Sequence, residues 1–224
     1  IAFDNGSDQV EVHRYEYDLA TVTVVPNDGN EPYDLTVRMG EPMARLDSLT
    51  RDDYIFQGWL DENDDAYDFG LAITGPLTLK GHWKLVTPGG LSAEEGDRTI
   101  VLSWTPIESA AKYAVYYSEH ADMSEATEKE TAAAEIEIGG LTNGKTYYFA
   151  VRAFDARFES DLSPTVSASP LTVPSAPRNV RVTEGDEQLS VAFEEPEDNG
   201  GRAIDAYHVY LDWERKWSGT ERSA

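Results

Sequence analysis

Apolar and polar residues alternate in short runs along most of this chain. The period of two appears in Ala20–Val25, Thr99–Trp104 and Tyr113–Tyr117, and it returns in Tyr147–Ala153, Leu189–Phe193 and Tyr207–Leu211. Successive side chains of a strand point to opposite faces, so each run predicts a half-buried strand. Turn chemistry separates the runs: Asn27-Asp28-Gly29-Asn30, Asn143-Gly144 and Asp198-Asn199-Gly200-Gly201. Helical periodicity is almost absent. A short helix is expected over Arg45–Arg51, and a single helical turn competes with a loop at Ala121–Glu125. The pattern predicts a mostly β fold.

Two seams interrupt the alternation, Thr87-Pro88-Gly89-Gly90 and Val173-Pro174-Ser175-Ala176-Pro177. Proline has no amide proton to continue a sheet ladder, and short Pro-rich links are stiff. The chain is therefore expected to divide into blocks 18–86, 87–173 and 174–224, with 1–17 as the tail of an upstream segment. Its start at Ile1, with neither an initiator Met nor a signal peptide, reads as a cut from a longer precursor. Stiff seams predict an elongated particle with restricted bending at 87 and 173.

Charge changes the picture next. The formal net charge is −24, and it is spread evenly: 13 acidic against 5 basic residues in 18–86, 14 against 6 in 87–173, and 11 against 6 in 174–224. Such a field repels phosphate backbones and anionic lipid surfaces, which argues against nucleic acid as a partner. No run of about 18 apolar residues occurs, so membrane insertion is not expected. There is no cysteine, which removes disulfides, thiolate metal sites and cysteine nucleophiles together. With 40% hydrophobic and 11% aromatic residues, small cores can still form.

In the first block the order of residues is specific. It reads Arg51-Asp52-Asp53-Tyr54-Ile55-Phe56-Gln57-Gly58-Trp59-Leu60, then Ala66-Tyr67-Asp68-Phe69, and ends Leu77-Thr78-Leu79-Lys80-Gly81-His82-Trp83. This resembles the Listeria–Bacteroides repeat (the internalin B type), with its Gly-Tyr-x-Phe-x-Gly-Trp core and terminal Thr-Leu-x-Ala-x-Trp strand. Asp53 stands where that repeat usually has Gly, and Gly81 where it usually has Ala. The resemblance implies a small β-grasp-like unit of bacterial cell-surface proteins, without a catalytic role. From the residues themselves, Tyr54, Phe56, Trp59, Phe69, Leu77, Leu79 and Trp83 can close one core, and Gly58 beside Trp59 suggests backbone packed close on a ring.

The second block carries Trp104, Tyr113-x-Val115-x-Tyr117 and Leu141-x-x-Gly144-x-x-Tyr147-x-Phe149-x-Val151. A Leu six residues before a Tyr that opens an alternating strand is the tyrosine-corner arrangement. With Trp104 it resembles a fibronectin type III domain, whose last hairpin Ser160 and Ser163-Pro164 also fit. The third block, with Pro174–Val180, Leu189–Phe193, Asp198–Gly201 and Tyr207–Tyr210, is similar to the first half of another such domain, Phe193 replacing its usual Trp. Half a sandwich leaves a sheet face and edge uncovered. The expected architecture is thus a small β-grasp-like repeat domain followed by one complete and one partial fibronectin type III-like β-sandwich.

Candidates for chemistry fall short in the sequence. His13, His82, His120 and His208 lie in no Ser or Asp motif of catalytic order, and no Gly-rich stretch has the sequence of a phosphate loop. Asp61, Asn63 and Asp65 imitate the start of an EF-hand loop, but Ala66 and Ala72 occupy the places of its Gly and its bidentate Glu, so a solvated turn is the better reading. No cofactor and no enzyme activity are expected. Trp213 and Trp217, four residues apart, are the binding candidates, set against burial under the uncovered half of the third block. The function expected is a non-catalytic extracellular spacer and interaction region, secreted or attached to the cell wall, whose partners are neighbouring domains of the same polypeptide. An adhesin module for host glycan or protein, and an ancillary region of a carbohydrate-active enzyme, are the alternatives.

Overall fold

Strand order in the first 84 residues follows from where the alternation places its apolar face. The computed structural model describes residues 16–223, so most of the expected 1–17 tail, with His13, lies outside the described residues. The chain divides into two units at Lys84/Leu85. In the first unit, β1 (Leu19–Val25), β2 (Tyr33–Arg38), β3 (Tyr54–Leu60) and β4 (Leu77–Leu85) form one sheet in the order β2-β1-β4-β3. β1 is antiparallel to β2 and parallel to β4, Val22 facing Leu77 and Val24 facing Leu79. Along β1, Ala20, Val22 and Val24 are buried while Leu19 and Thr21 are exposed, the period of two made visible. They join Met43, Trp59, Ile73 and Leu79 in a core flanked by Phe56, Tyr67 and Phe69. This is a β-grasp-like sheet.

The helix expected over Arg45–Arg51 does not form. Residues 43–50 are irregular, yet Leu46 and Leu49 still pack on the core. Seven residues leave little room beyond helix nucleation, and Asp47, Ser48 and Thr50 offer the backbone competing hydrogen bonds. Residues 121–125 likewise form turns, the loop alternative.

Trp83 anchors the far end of the sheet. It is buried, meets Tyr54 and Phe56 edge-on with centroids 6.4 and 5.0 Å away, and its indole N–H donates to the Pro26 carbonyl at 2.8 Å. Gly81 makes that approach possible, because a methyl there would fall on the Pro26 carbonyl. Gly58 has a different reason from the one expected. Space beside it is open, and its φ of +131°, which L side chains rarely adopt, is what suits glycine. Asp53 adopts the left-handed conformation (φ +65°) in the turn closed by Tyr54 N–H and the Arg51 carbonyl, so the turn forms without glycine.

The second unit opens with seven strands: β5 (Ser92–Gly96), β6 (Thr99–Ser103), β7 (Lys112–Ser118), β8 (Thr127–Thr131), β9 (Glu135–Gly139), β10 (Tyr147–Phe154) and β11 (Val166–Ala168). They build two sheets, β5-β6-β9 and β11-β10-β7-β8, with antiparallel pairing throughout. Ile100 and Leu102 of β6 and Ile138 of β9 are fully buried, as are Val115 of β7 and Phe149 and Val151 of β10. Two inner faces therefore share a sandwich core. Burial of each such side chain stabilises the fold by roughly 1.5–3 kcal/mol. Trp104, just past β6, meets Tyr113 edge-on at 5.2 Å, and the Tyr113 hydroxyl accepts the Ile107 N–H at 2.7 Å. The Tyr147 hydroxyl accepts the Thr142 N–H at 3.2 Å, closing the tyrosine corner.

Beyond them lie β12 (Arg178–Gly185), β13 (Gln188–Glu194), β14 (Tyr207–Leu211) and β15 (Glu214–Gly219), two hairpins forming separate two-stranded sheets. Phe193 is buried, with its ring 4.8 Å from that of Tyr207, but every residue of β12 is exposed. This is the partial sandwich, its inner face open.

Candidate functional site

The binding candidates sit on the last hairpin, and the structure separates their roles. Leu211 pairs with Glu214, so Asp212 and Trp213 form a two-residue loop, both at positive φ (52° and 64°). That is the mirror-image turn whose twist suits a hairpin, and it normally favours Asn-Gly. Trp213 is thereby carried to the tip, 97% exposed. Trp217 pairs with Val209 and is half-buried, its ring lying against Gly219. It lines an apolar cleft of about 860 Å³ with Val182, Leu189, Val191, Val209 and Leu211. The two tryptophans therefore do not make one platform: one is displayed on a turn, the other floors the open sandwich face.

The acidic turn of the first unit is occupied by its own backbone. Asp61 Oδ1 accepts the N–H of Asn63 at 2.8 Å and of Asp65 at 3.1 Å, and Lys80 Nζ donates to Asp64 at 2.9 Å. Such bonds hold a solvated turn together. Among the described residues no group of three or more His, Asp or Glu side chains is placed to hold a metal ion.

Among the other concavities of the second unit, two hold ion pairs. One, of about 850 Å³, has Glu195, Glu197 and Asp198 on its wall with Tyr207. The Glu195 carboxylate is paired with Arg222, and the Asp198 carboxylate accepts the Gly200 N–H at 2.8 Å. The other, of about 190 Å³, lies between Tyr117, Glu119, His120 and Tyr147. Here Glu119 forms an ion pair with Lys145, whose ammonium it holds above the ordinary lysine range. Nearby, the Ser124 hydroxyl and amide hydrogen-bond the Asp122 carboxylate and hold its pKa below the usual carboxylate range. Burial, followed by the adjacent Glu128 carboxylate, raises the Tyr116 hydroxyl. The Lys145 and Asp122 shifts come from an exposed pair and a turn, which also perturb titration in structural networks.

Sequence reasoning missed one polar arrangement. Ser160 and Ser163 are almost fully buried, and their hydroxyls accept the N–H groups of Ala153 and Val151, each at 3.0 Å. β11 pairs only with Tyr147–Phe149, so these serines satisfy the remaining edge of β10. The signal in the sequence was two serines before a proline beyond the strongest strand, which fitted a hairpin but did not disclose the hydroxyl roles.

Comparison with known proteins gives a match to the family model of the fibronectin type III domain over residues 86–169. A curated relative, the Kelch domain-containing protein SSO1033 of Saccharolobus solfataricus, is 25% identical over 120 residues, 54% of this chain. The matched stretch spans 16% of that protein's length. Among solved structures, one described as FN3tt mut is 26% identical, covering 37% of this chain and 92% of that one, with a TM-score of 0.32. The FN5 domain of Drosophila Lar is 19% identical, covering 38% and 94%, with a TM-score of 0.33. A fibronectin type III domain derived from human KIAA0970 protein is 17% identical, covering 45% and 85%, with a TM-score of 0.36. Residues 86–169, with two facing sheets, a closed tyrosine corner and the family match, form a fibronectin type III domain.

Proposed function

We propose that this chain is a non-catalytic spacer and interaction region of an extracellular bacterial protein, secreted or attached to the cell wall. Its residues 18–86 would be a Listeria–Bacteroides-type repeat, and its neighbours would be further domains of the same polypeptide. The observation that carries this reading is where the large aromatic rings go. Trp59 and Trp83 close the core of the first unit, and Trp104, Tyr113, Tyr147 and Phe149 close the fibronectin type III domain. Rings committed to cores hold modules in shape rather than line a pocket, which supports a linking role by fold-level analogy.

One observation favours a second reading, an adhesin module for glycan or host protein. Trp213, displayed on its turn, is the kind of exposed ring that sugar faces and protein hot spots use. A glycan array and a panel of extracellular-matrix proteins, probed with the parent chain and with Trp213→Ala and Trp217→Ala, decide between them. The spacer reading expects no tryptophan-dependent signal. Binding that disappears in Trp213→Ala would overturn it in favour of the adhesin.

A further inference from the structure

The joint between the fibronectin type III domain and the hairpins that follow carries more contacts than a linker needs. Its residues 170–175 hold backbone bonds on both sides. The Leu171 N–H donates to Gly96 O at 3.1 Å and the Pro170 carbonyl accepts the Gly144 N–H at 2.8 Å, Gly96 ending β5 and Gly144 lying in the turn before β10. Facing the other way, the Thr172 N–H donates to Gly200 O at 2.9 Å and the Ser175 N–H to Asp198 O at 2.9 Å. The Ser175 hydroxyl also accepts the Asp198 N–H at 3.1 Å.

Three glycines let these backbones meet. Gly144, Gly200 and Gly201 have φ of +79°, +74° and +89°. A methyl on Gly200 would fall on the Thr172 carbonyl, and one on Gly201 would fall on the Gly144 amide nitrogen. A methyl on Gly144 would in turn meet Gly201 O at 2.5 Å. Both sides of this contact are braced. Asn143 bonds the Arg98 N–H and Asp97, while Asp198 and Asn199 bond the amides of Gly200 and Gly201. Two ordered turns, the linker and the loop therefore meet backbone to backbone.

We propose that Asp198-Asn199-Gly200-Gly201 is a clasp that locks the linker at 170–175 and fixes the orientation of the β12–β15 hairpins on the fibronectin type III domain. Stiffness here comes from glycines that permit close approach, added to the prolines at 170, 174 and 177, which fix φ and offer no amide. The inference rests on the spacer reading only for its purpose, since a fixed angle lets a stalk transmit direction.

Because the chain has no cysteine, a Lys129→Cys/Asp186→Cys pair places one exposed spin label on β8 and another in the β12–β13 turn of the intact chain. Pulsed EPR on this pair is expected to give one narrow distance distribution. Adding Gly200→Ala and Gly201→Ala is expected to broaden it toward the spread of two bodies joined by a free six-residue linker, whose ends lie an r.m.s. ~13 Å apart. Ser175→Ala, which leaves backbone torsions alone, is expected to broaden it less. A parent distribution already that broad overturns the clasp. So does a glycine variant as narrow as the parent, with the Phe193–Tyr207 contact intact by NMR. Should the glycine variant lose the hairpins, the parent and Ser175→Ala distributions decide. The glycan and matrix-protein panel is untouched by any of these results, so a failed clasp and a failed spacer reading are told apart.

Discussion

Replacing Ser163 by alanine removes the acceptor for a buried backbone donor. The ladder between β10 and β11 ends at Phe149, and past it Val151 exchanges its backbone bonds with Ser163 alone: Ser163 N–H to Val151 O at 2.9 Å, and Val151 N–H to Ser163 Oγ at 3.0 Å. Val151 is fully buried, so water does not replace the lost hydroxyl. An orphaned buried donor costs about 1–3 kcal/mol, more than the roughly 1 kcal/mol of an ordinary net hydrogen bond. For a domain of this size each kcal/mol moves the melting temperature by roughly 4–8 °C, so a loss near 2 kcal/mol lowers it by about 8–16 °C. The assay is urea unfolding read on the NMR signals of Val151 and Tyr147, with amide exchange at Val151 as the local probe. Ser92→Ala is the control. Its hydroxyl bonds Ser103 in an exposed pair, and its removal is expected to change stability by less than about 0.5 kcal/mol. Equal midpoints for Ser163→Ala and Ser92→Ala, with unchanged exchange at Val151, would refute the reasoning.

Further expectations follow from single contacts. Tyr147→Phe removes the acceptor of the Thr142 N–H and should cost about 1 kcal/mol, measured as a lower urea midpoint of the fibronectin type III domain. Ser124→Ala should raise the Asp122 pKa back toward the ordinary carboxylate range, read by NMR titration. Because the folded-state pKa is the lowered one, any stabilisation from Asp122 is present above the ordinary carboxylate pKa and is lost as pH falls through the lowered value. Calcium added at millimolar level should leave the amides of Asn63 and Asp65 unshifted, since both already donate to Asp61.

Alternation made the strands legible because half-buried sheets impose a period of two that no other interaction imitates at this length. Val22 and Val24, Ile100 and Leu102, Phe149 and Val151 all appear on the inner faces that the pattern assigned them. In the Arg45–Arg51 segment Leu46 and Leu49 are three apart, a spacing that a helix and an irregular segment lying on a core satisfy equally well. At Gly58 the sequence shows a need for glycine without its cause, which the backbone torsion supplies. For the binding candidates, spacing put Trp213 and Trp217 four apart, but only the register of β14 with β15 decides that one tops the turn and the other lies over Gly219. Contacts between distant turns, such as Gly144 against Gly201, are invisible to any local pattern.

Residue-resolved unfolding of Leu79→Ala probes most directly whether the aromatic and aliphatic side chains close separate interiors. Leu79 is fully buried in the β1–β4 core, and its truncation should cost about 2–5 kcal/mol there. The account predicts lower urea midpoints for amides of β1, β3 and β4 while those of Ile100, Val115 and Phe149 keep the parent value. Equal downward shifts in both sets would mean one shared interior, and would contradict it.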